Sequence, residues 1–392
     1  MSADINFDLL KRLCETPGIP GREEAVRAVV REAMDEIVDE IEVDAMGNLI
    51  GRRKGNGGPT VMFAGHMDEI GFMVKHIDDK GFLRLQPVGG FDGRVLPAQR
   101  CHVHTEAGAV LPGAMALETK PIHLLSGSDI QAPKVEQIFV DLGLSGDEVK
   151  EKVQIGDMVT MDRTVERIGD NVMGKAFDDR ISIFLMLEAA RLLGDEDVQS
   201  EIVLAATTQE EVGLRGARTA AYHVQPDIGV ALDITLAMDI PGASPEDAVT
   251  RLGDGAAIKV FDSSHISNHK LVSHFKRSRR TTTSSTSWRS CPGAVRMPVR
   301  CSSPGPECRS SRSRCRLATF TRSMRWLPSA TSRLRSTCWR RTCATPTKAI
   351  TTWRSRVHGR CGTTLSACRP RPNRNRSRRD LYCISPGSIW LK

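Results

Sequence analysis

Residues 202–216 read IVLAATTQEEVGLRG, and this stretch decides the fold. Ile202 to Ala206 are apolar without alternation, the pattern of a strand buried on both faces of a parallel sheet. The strand runs into two adjacent carboxylates, Glu210 and Glu211, followed by Gly213 and Gly216. Open α/β sheets hold their chemistry outside the carboxyl ends of the strands, which is where these acids fall. An acid pair alone is ordinary content for a solvated loop, so its meaning depends on what neighbouring strands deliver.

Three other segments deliver similar groups. The buried-strand pattern TVMFA at 60–64 runs into His66 and Asp68. GKAFDDR brings Asp178 and Asp179 to the start of a helical pattern over 181–193. The apolar run 228–232 ends at Asp233. Taken singly, His66 reads as a satisfied loop or core histidine, Asp178 as a helix cap and Asp233 as a turn acid. Parallel strand ends converge on one crevice, however, and several like charges gathered there repel unless a cation neutralises them. Imidazole with carboxylates and no cysteine is a donor set for Zn²⁺, Co²⁺ or Mn²⁺. A bridging carboxylate flanked by two donor sets suits two ions about 3.5–4 Å apart that acidify a shared water. Such chemistry needs one more carboxylate, not a ligand, to take the water's proton and pass it to a leaving amine. Glu210 and Glu211 are adjacent and could divide these tasks.

Outward from these motifs, apolar residues recur at helical spacing over 7–14 and 23–38, separated by the breaker TPGIPG. Residues 41–43 and 49–50 flank Gly47 and Asn48 as a hairpin would. After Ile70 the texture turns to short strands with frequent turns, and the α/β pattern returns from Asn171 with a further helix over 217–222 and a strand entry at 253–260. The plan is an α/β domain, 1–70 and 165–276, interrupted by a small all-β domain, 71–164.

Composition then breaks. Residues 1–276 hold 28 Lys and Arg against 45 Asp and Glu; residues 277–392 hold 27 against only Glu307 and Asp380. All five Trp and nine of the eleven Cys lie in the second piece, which has no helix or strand period. The tail at 277–392 is therefore expected to be irregular or disordered. The start, MSADINFDLL, has no leader-like pattern, and no apolar run approaches a membrane span. With two cysteines in the body, the expected location is cytoplasmic and no membrane partner is expected. The acidic body argues against a nucleic-acid partner.

The motifs AGHMDEIGFMV, GKAFDDR, TTQEEVGLRGA and ALDITLAMDIPGA, in this order, closely resemble the tetrahedral (TET), deblocking or glutamyl aminopeptidases, dinuclear metallopeptidases some of whose relatives carry endoglucanase labels. The resemblance spans about 7–276 and implies a zinc-exopeptidase-like sheet with flanking helices. It implies that His66, Asp178 and Asp233 surround one metal, with Asp178 bridging to a second held by Glu211. Glu210 would be the general base activating a metal-bridged water, and Asp68 the carboxylate that orients His66. The cofactors implied are two divalent ions per subunit, Zn²⁺ or Co²⁺, and the substrate a peptide that loses its N-terminal residue. The insert would be the dimerisation domain of a dodecamer. Two alternatives stand beside this: a glycosidase-type hydrolase of the endoglucanase-labelled kind, and a nucleic-acid-binding protein acting through Arg runs such as RPNRNRSRR.

The family's second metal takes a histidine from a late R-Y-I-H-S segment that follows a G-G-T-D-A segment, and neither is present. Moving the codon boundaries one base upstream permits L-P-R-G-G-T-D-A from residues 291–298. The same shift permits R-Y-I-H-S from 317–322, with the histidine codon straddling Phe320 and Thr321. A frameshift near Lys276 is therefore expected, with 277–392 translated out of frame. One metal would then be tight and the other weak or absent, peptidase activity low, and the last strands missing so that the sheet keeps an exposed edge.

Overall fold

The computed structural model describes residues 6–120, 122–124, 132–169, 171–244, 250–253, 255–262, 265–280 and 316–322. Helices α1 (Phe7–Glu15) and α2 (Glu24–Met34) each bury one stripe, Leu10, Leu13 and Cys14 on the first and Val26, Val30 and Met34 on the second. Asn6 caps α1 by accepting from the Leu9 N–H. Strands β1 (Glu40–Val43) and β2 (Leu49–Arg53) pair as an antiparallel hairpin. Its turn uses Gly47 at a left-handed φ of 88°. Strand β3 (Val61–His66) follows, buried along its whole length.

The chain then leaves the sheet for a closed barrel of β4 (Gly71–Ile77), β5 (Leu83–Val88), β6 (Arg100–His104), β7 (Val110–Leu117), β8 (Ile138–Asp141) and β9 (Met158–Met161). The barrel has a core of its own, including Phe72, Val74, Leu83, Val103, Met115, Val140 and Val159. Phe72 and Phe91 stack with centroids 4.1 Å apart. One element departs from the all-β expectation. Helix α3 (Gly146–Lys152) packs Val149 into the barrel core. Ser145 and Glu148 form its capping box, a local signal that strand alternation does not register.

After the short ribbon β10 (Glu166–Ile168) and β11 (Asn171–Met173), the chain returns with α4 (Phe177–Leu193), β12 (Ile202–Thr207), α5 (Arg215–Val224), β13 (Ile228–Asp233), β14 (Ala256–Lys259), α6 (His269–Arg280) and β15 (Arg316–Arg322). The sheet runs β1-β2-β12-β3-β13-β15-β14. Strands β12, β3, β13 and β15 are mutually parallel, so their carboxyl ends share one edge. Alternate residues feed two layers. Phe63, Leu204 and Leu232 join the core under α1, α2 and α4, while Met62, Val203 and Ala205 pack against Ala220, Ala221 and Val224 of α5.

Strand β15 corrects one expectation, that the tail has no regular element; the expected open edge is untouched, because β14 ends the sheet. Residues 316–322, RLATFTR, lie between β13 and β14, parallel to the first and antiparallel to the second. The physical reason is a vacant ladder: β13 offers an unpaired row of N–H and C=O groups, and a short Leu-, Phe- and Thr-containing segment has the propensity to fill it. Residues 277–280 continue α6, and the rest of the tail expectation falls outside the described residues.

Candidate metal centre

The site forms where β3 and β12 end side by side, with His66 in register with Thr207. His66 is fully buried. Its Nε2 lies 3.0 Å from Asp178 Oδ1 and 3.8 Å from Glu210 Oε2. Its Nδ1 lies 2.9 Å from the carbonyl oxygen of Asp68 and 3.5 Å from the Asp68 carboxylate. The stronger tether on the ring is thus the backbone of Asp68. The Asp68 carboxylate also accepts from the N–H groups of Glu210 and Glu211, each at 3.0 Å. Asp68 therefore fixes the acid pair as well as the imidazole.

Asp178 stands where α4 begins, but it does not cap the helix. Ala176 is left-handed (φ 55°), Asp178 and Asp179 depart from helical angles, and their shared peptide is cis. Asp178 turns its carboxylate to His66, while Asp179 Oδ2 accepts from the His66 N–H at 3.2 Å. Two buried cations brace this start. Arg180 donates to the carbonyls of Leu13, Thr16, Gly18 and Met67, joining α1's exit and the His66 loop to α4. Lys175 pairs with Glu69 at 2.6 Å. None of Lys175, Glu69 and Arg180 was among the sequence candidates. The only trace is the two basic ends of GKAFDDR, because their partners lie more than a hundred residues away in the chain.

The six sequence candidates converge. His66, Asp178 and Asp233 form one three-donor group, and His66, Glu210 and Glu211 another; in each, the ligand atoms lie within 4.8 Å of one another. Charge is badly balanced. Burial opposes ionisation of His66, yet Glu210, Asp178 and Asp68 outweigh it and hold the imidazole well above its ordinary range. Burial also works against Asp68, but His66 and the two backbone N–H groups keep its carboxyl low. Burial pushes Glu210 up to about 7, with Asp233, Asp178 and Asp68 adding to the effect. Burial and then Asp178 push Glu211 up to about 8. Asp179 is raised well above the usual range by burial and Asp233. One imidazole cannot neutralise this many carboxylates. The buried Oδ1 of Asp179 has no hydrogen-bond partner among the described residues. An oxygen-rich, histidine-containing and cysteine-free donor set with surplus negative charge fits a divalent cation.

Comparisons with known proteins place the chain among aminopeptidases. The sequence pattern of the M42 glutamyl aminopeptidase family matches residues 47–287. The lysyl aminopeptidase of Pyrococcus furiosus is 36% identical over 265 residues, covering 65% of this chain and 73% of that protein. A TET aminopeptidase structure from a marine-sediment Thaumarchaeota archaeon superposes with a TM-score of 0.74 at 32% identity, covering 80% of this chain and 87% of the other. The TET1 peptidase of Pyrococcus horikoshii, whose structure is a tetrahedron or a large octahedral shell, gives 0.69 at 28% identity, covering 80% and 90%.

Proposed function

Because this chain belongs to the M42 glutamyl aminopeptidase family, we propose that it is a metal-dependent aminopeptidase that releases N-terminal residues from peptides. The observation that carries this is the convergence of His66, Asp178, Asp233, Glu210 and Glu211 beside the carboxyl ends of β3, β12 and β13. His66, Asp178 and Asp233 would hold one ion, and Asp178 with Glu211 a second, Zn²⁺ or Co²⁺ by donor type. When bound, such cations supply Lewis-acid polarisation of a carbonyl and acidification of water. Glu210 is the general base. It is largely buried, its carboxyl is pushed up to about 7, and it stands 3.8 Å from His66 Nε2. From that position its carboxylate would take a proton from water and return it to the departing amine. Asp68 holds Glu210 in place through its backbone N–H.

The second donor set is incomplete. Register pairs Phe320 with Leu232 and Thr321 with Asp233. Phe320 and Thr321, whose codons would straddle the missing histidine, therefore lie beside the end of β13, and neither carries an imidazole. Among the described residues no third donor joins Asp178 and Glu211. The family pattern stops at 287, close to the composition break near Lys276. These facts support the frameshift reading, a single weakened ion site and low turnover in the chain as written. Assembly through the barrel into dimers and a dodecamer belongs to the same proposal, supported by the TET1 assembly. Cys14 and Cys101 are buried free thiols, as suits a reducing cytoplasm. Among the described residues no helix is long and apolar enough to cross a membrane.

The test is a frame-repaired chain beside the chain as written, assayed on peptides with free N-termini. Repair is expected to give turnover that chelation abolishes and Zn²⁺ or Co²⁺ restores. Chelator-insensitive hydrolysis, or release of sugar but no amino acid, would overturn the reading. Nucleotide sequence showing an intact frame through codons 270–325 would remove the frameshift part alone.

A further inference from the structure

Strand β12 ends at Thr207, and the next four backbone N–H groups are all bonded by side chains from other parts of the fold. Thr208 N–H donates to Asn48 Oδ1 at 2.9 Å, and Gln209 N–H to Glu23 Oε1 at 3.0 Å. Glu210 and Glu211 N–H donate to the two oxygens of Asp68, each at 3.0 Å. The carbonyls of the same turn are used as well. Thr208 accepts from Gly216 N–H, Gln209 from Arg215 N–H, and Glu210 from the N–H groups of Gly213 and Leu214. The turn that presents the two acids is thus set by acceptors from the β1–β2 hairpin, the start of α2 and the end of β3.

Asp68 belongs to the site already described; Glu23 and Asn48 do not. Glu23 occupies the N-cap position of α2, yet its side chain makes no cap bond to that helix. Its carboxylate is 3% exposed and accepts instead from Gly21 N–H and Gln209 N–H. Gln209 is a non-glycine residue at a left-handed φ of 52°, a conformation that needs an external hold. Asn48 is fully buried and uses both ends of its amide: Oδ1 takes Thr208, while Nδ2 donates to Asp44, Gly216 and Thr219. Its approach depends on glycine at 216, where a Cβ would lie 2.3 Å from Asn48 Oδ1.

We propose that Glu23 and Asn48 are positioning residues: they clamp the N–H groups of Gln209 and Thr208 and so aim the carboxylates of Glu210 and Glu211 at the metal site. The proposal rests on the metallopeptidase reading for its purpose. A residue behind a ligand commonly changes metal affinity by about 10- to 100-fold. The effect here is directional, because Glu23 touches the turn that carries Glu211 and no part of Asp178 or Asp233 in the described contacts.

The experiment compares the full chain with Glu23→Ala, Glu23→Gln and Asn48→Ala, each checked for a cooperative thermal transition. Glutamine keeps an oxygen acceptor for Gln209, whereas alanine at 48 removes the one for Thr208. Two readouts are taken: amide hydrogen exchange in a peptide spanning 207–213, and Co²⁺ titration followed by visible absorption. In Glu23→Ala, exchange in that peptide is expected to quicken by about 10-fold or more, while peptides from β13 keep their parent rates. The weaker Co²⁺ step is expected to weaken by about 10- to 100-fold and the tighter step to hold. Glu23→Gln is expected to keep exchange at 207–213 within about threefold of the parent by its retained acceptor, and Asn48→Ala to quicken it. Unchanged exchange in Glu23→Ala, or equal loosening in Glu23→Ala and Glu23→Gln, overturns the proposal. Equal loss of both Co²⁺ steps in Glu23→Ala overturns it too. If the parent binds no Co²⁺ at all, the metallopeptidase reading fails, and the exchange result alone decides whether Glu23 holds the turn.

Discussion

Asp68→Asn removes one charge and alters one atom, yet it strikes the centre of the site. Asp68 is fully buried and accepts from two backbone N–H groups at 3.0 Å, those of Glu210 and Glu211. Asparagine has one oxygen and one NH₂, so it can satisfy only one of them and sets a donor against the other. A hydrogen bond to a charged acceptor contributes about 1.5–3 kcal/mol, and a buried donor left unpaired costs about 1–3 kcal/mol. Losing the charge assistance on one bond and the whole of the other gives roughly 3–5 kcal/mol, from the same ranges. For a domain of this size each kcal/mol moves the melting temperature by about 2–4 °C, so the shift is roughly 6–20 °C downward. The assay is thermal melting in parallel with Zn²⁺ affinity, where a loss of about 10- to 100-fold is expected. A variant that melts within about 2 °C of the parent, against that scale, and binds Zn²⁺ equally well would refute the assignment of Asp68 as the turn's anchor.

In the metal-free chain, Glu210 and Glu211 are pushed up to about 7 and about 8 from an ordinary 4.5. Raised carboxyls mean that the folded state holds protons the unfolded state has released, so stability falls as pH rises through that window. A cation relieves the same repulsion. The gap in melting temperature between metal-loaded and chelated protein is therefore expected to be larger at pH 8 than at pH 5.5, and an equal gap counts against the acid cluster. Glu210→Gln in the frame-repaired chain is expected to cut kcat by about 10²- to 10⁴-fold while metal content, read by elemental analysis, stays at the parent level. Arg180→Met takes the donor from four carbonyls and removes one of the two cations beside Glu69, which keeps Lys175. A loss of roughly 3–5 kcal/mol in denaturant unfolding is expected.

The parts legible in the sequence are those whose signal is local and repeated. Strands β3, β12 and β13 are apolar at every position before the last, which only a strand covered on both faces needs. Their carboxyl ends then carried His66, Glu210, Glu211 and Asp233 to one edge without further information. What stayed hidden depends on partners distant in the chain. Nothing near Glu23 distinguishes it from an ordinary acid at a helix start, because Gln209 lies 186 residues on. The carboxylate of Asp68 reads as the orienter of His66, and it does lie 3.5 Å from the ring; its bonds to the N–H groups of Glu210 and Glu211 have no local signal. Lys175, Glu69 and Arg180 are charged residues that composition assigns to the surface, and burial is tolerated here because each is paired or fully hydrogen-bonded. Strand β15 escaped because its propensity is modest and its place is set by the open ladder of β13.

The central claim is that this chain gathers a divalent-cation site around His66, Asp178 and Asp233 and leaves the second set, at Asp178 and Glu211, short of a donor. Calorimetric titration of Zn²⁺ into the chelator-stripped chain tests it directly. The account predicts one tight ion per chain, with any second ion binding far more weakly. Two equally tight ions, or no tight ion, would contradict it.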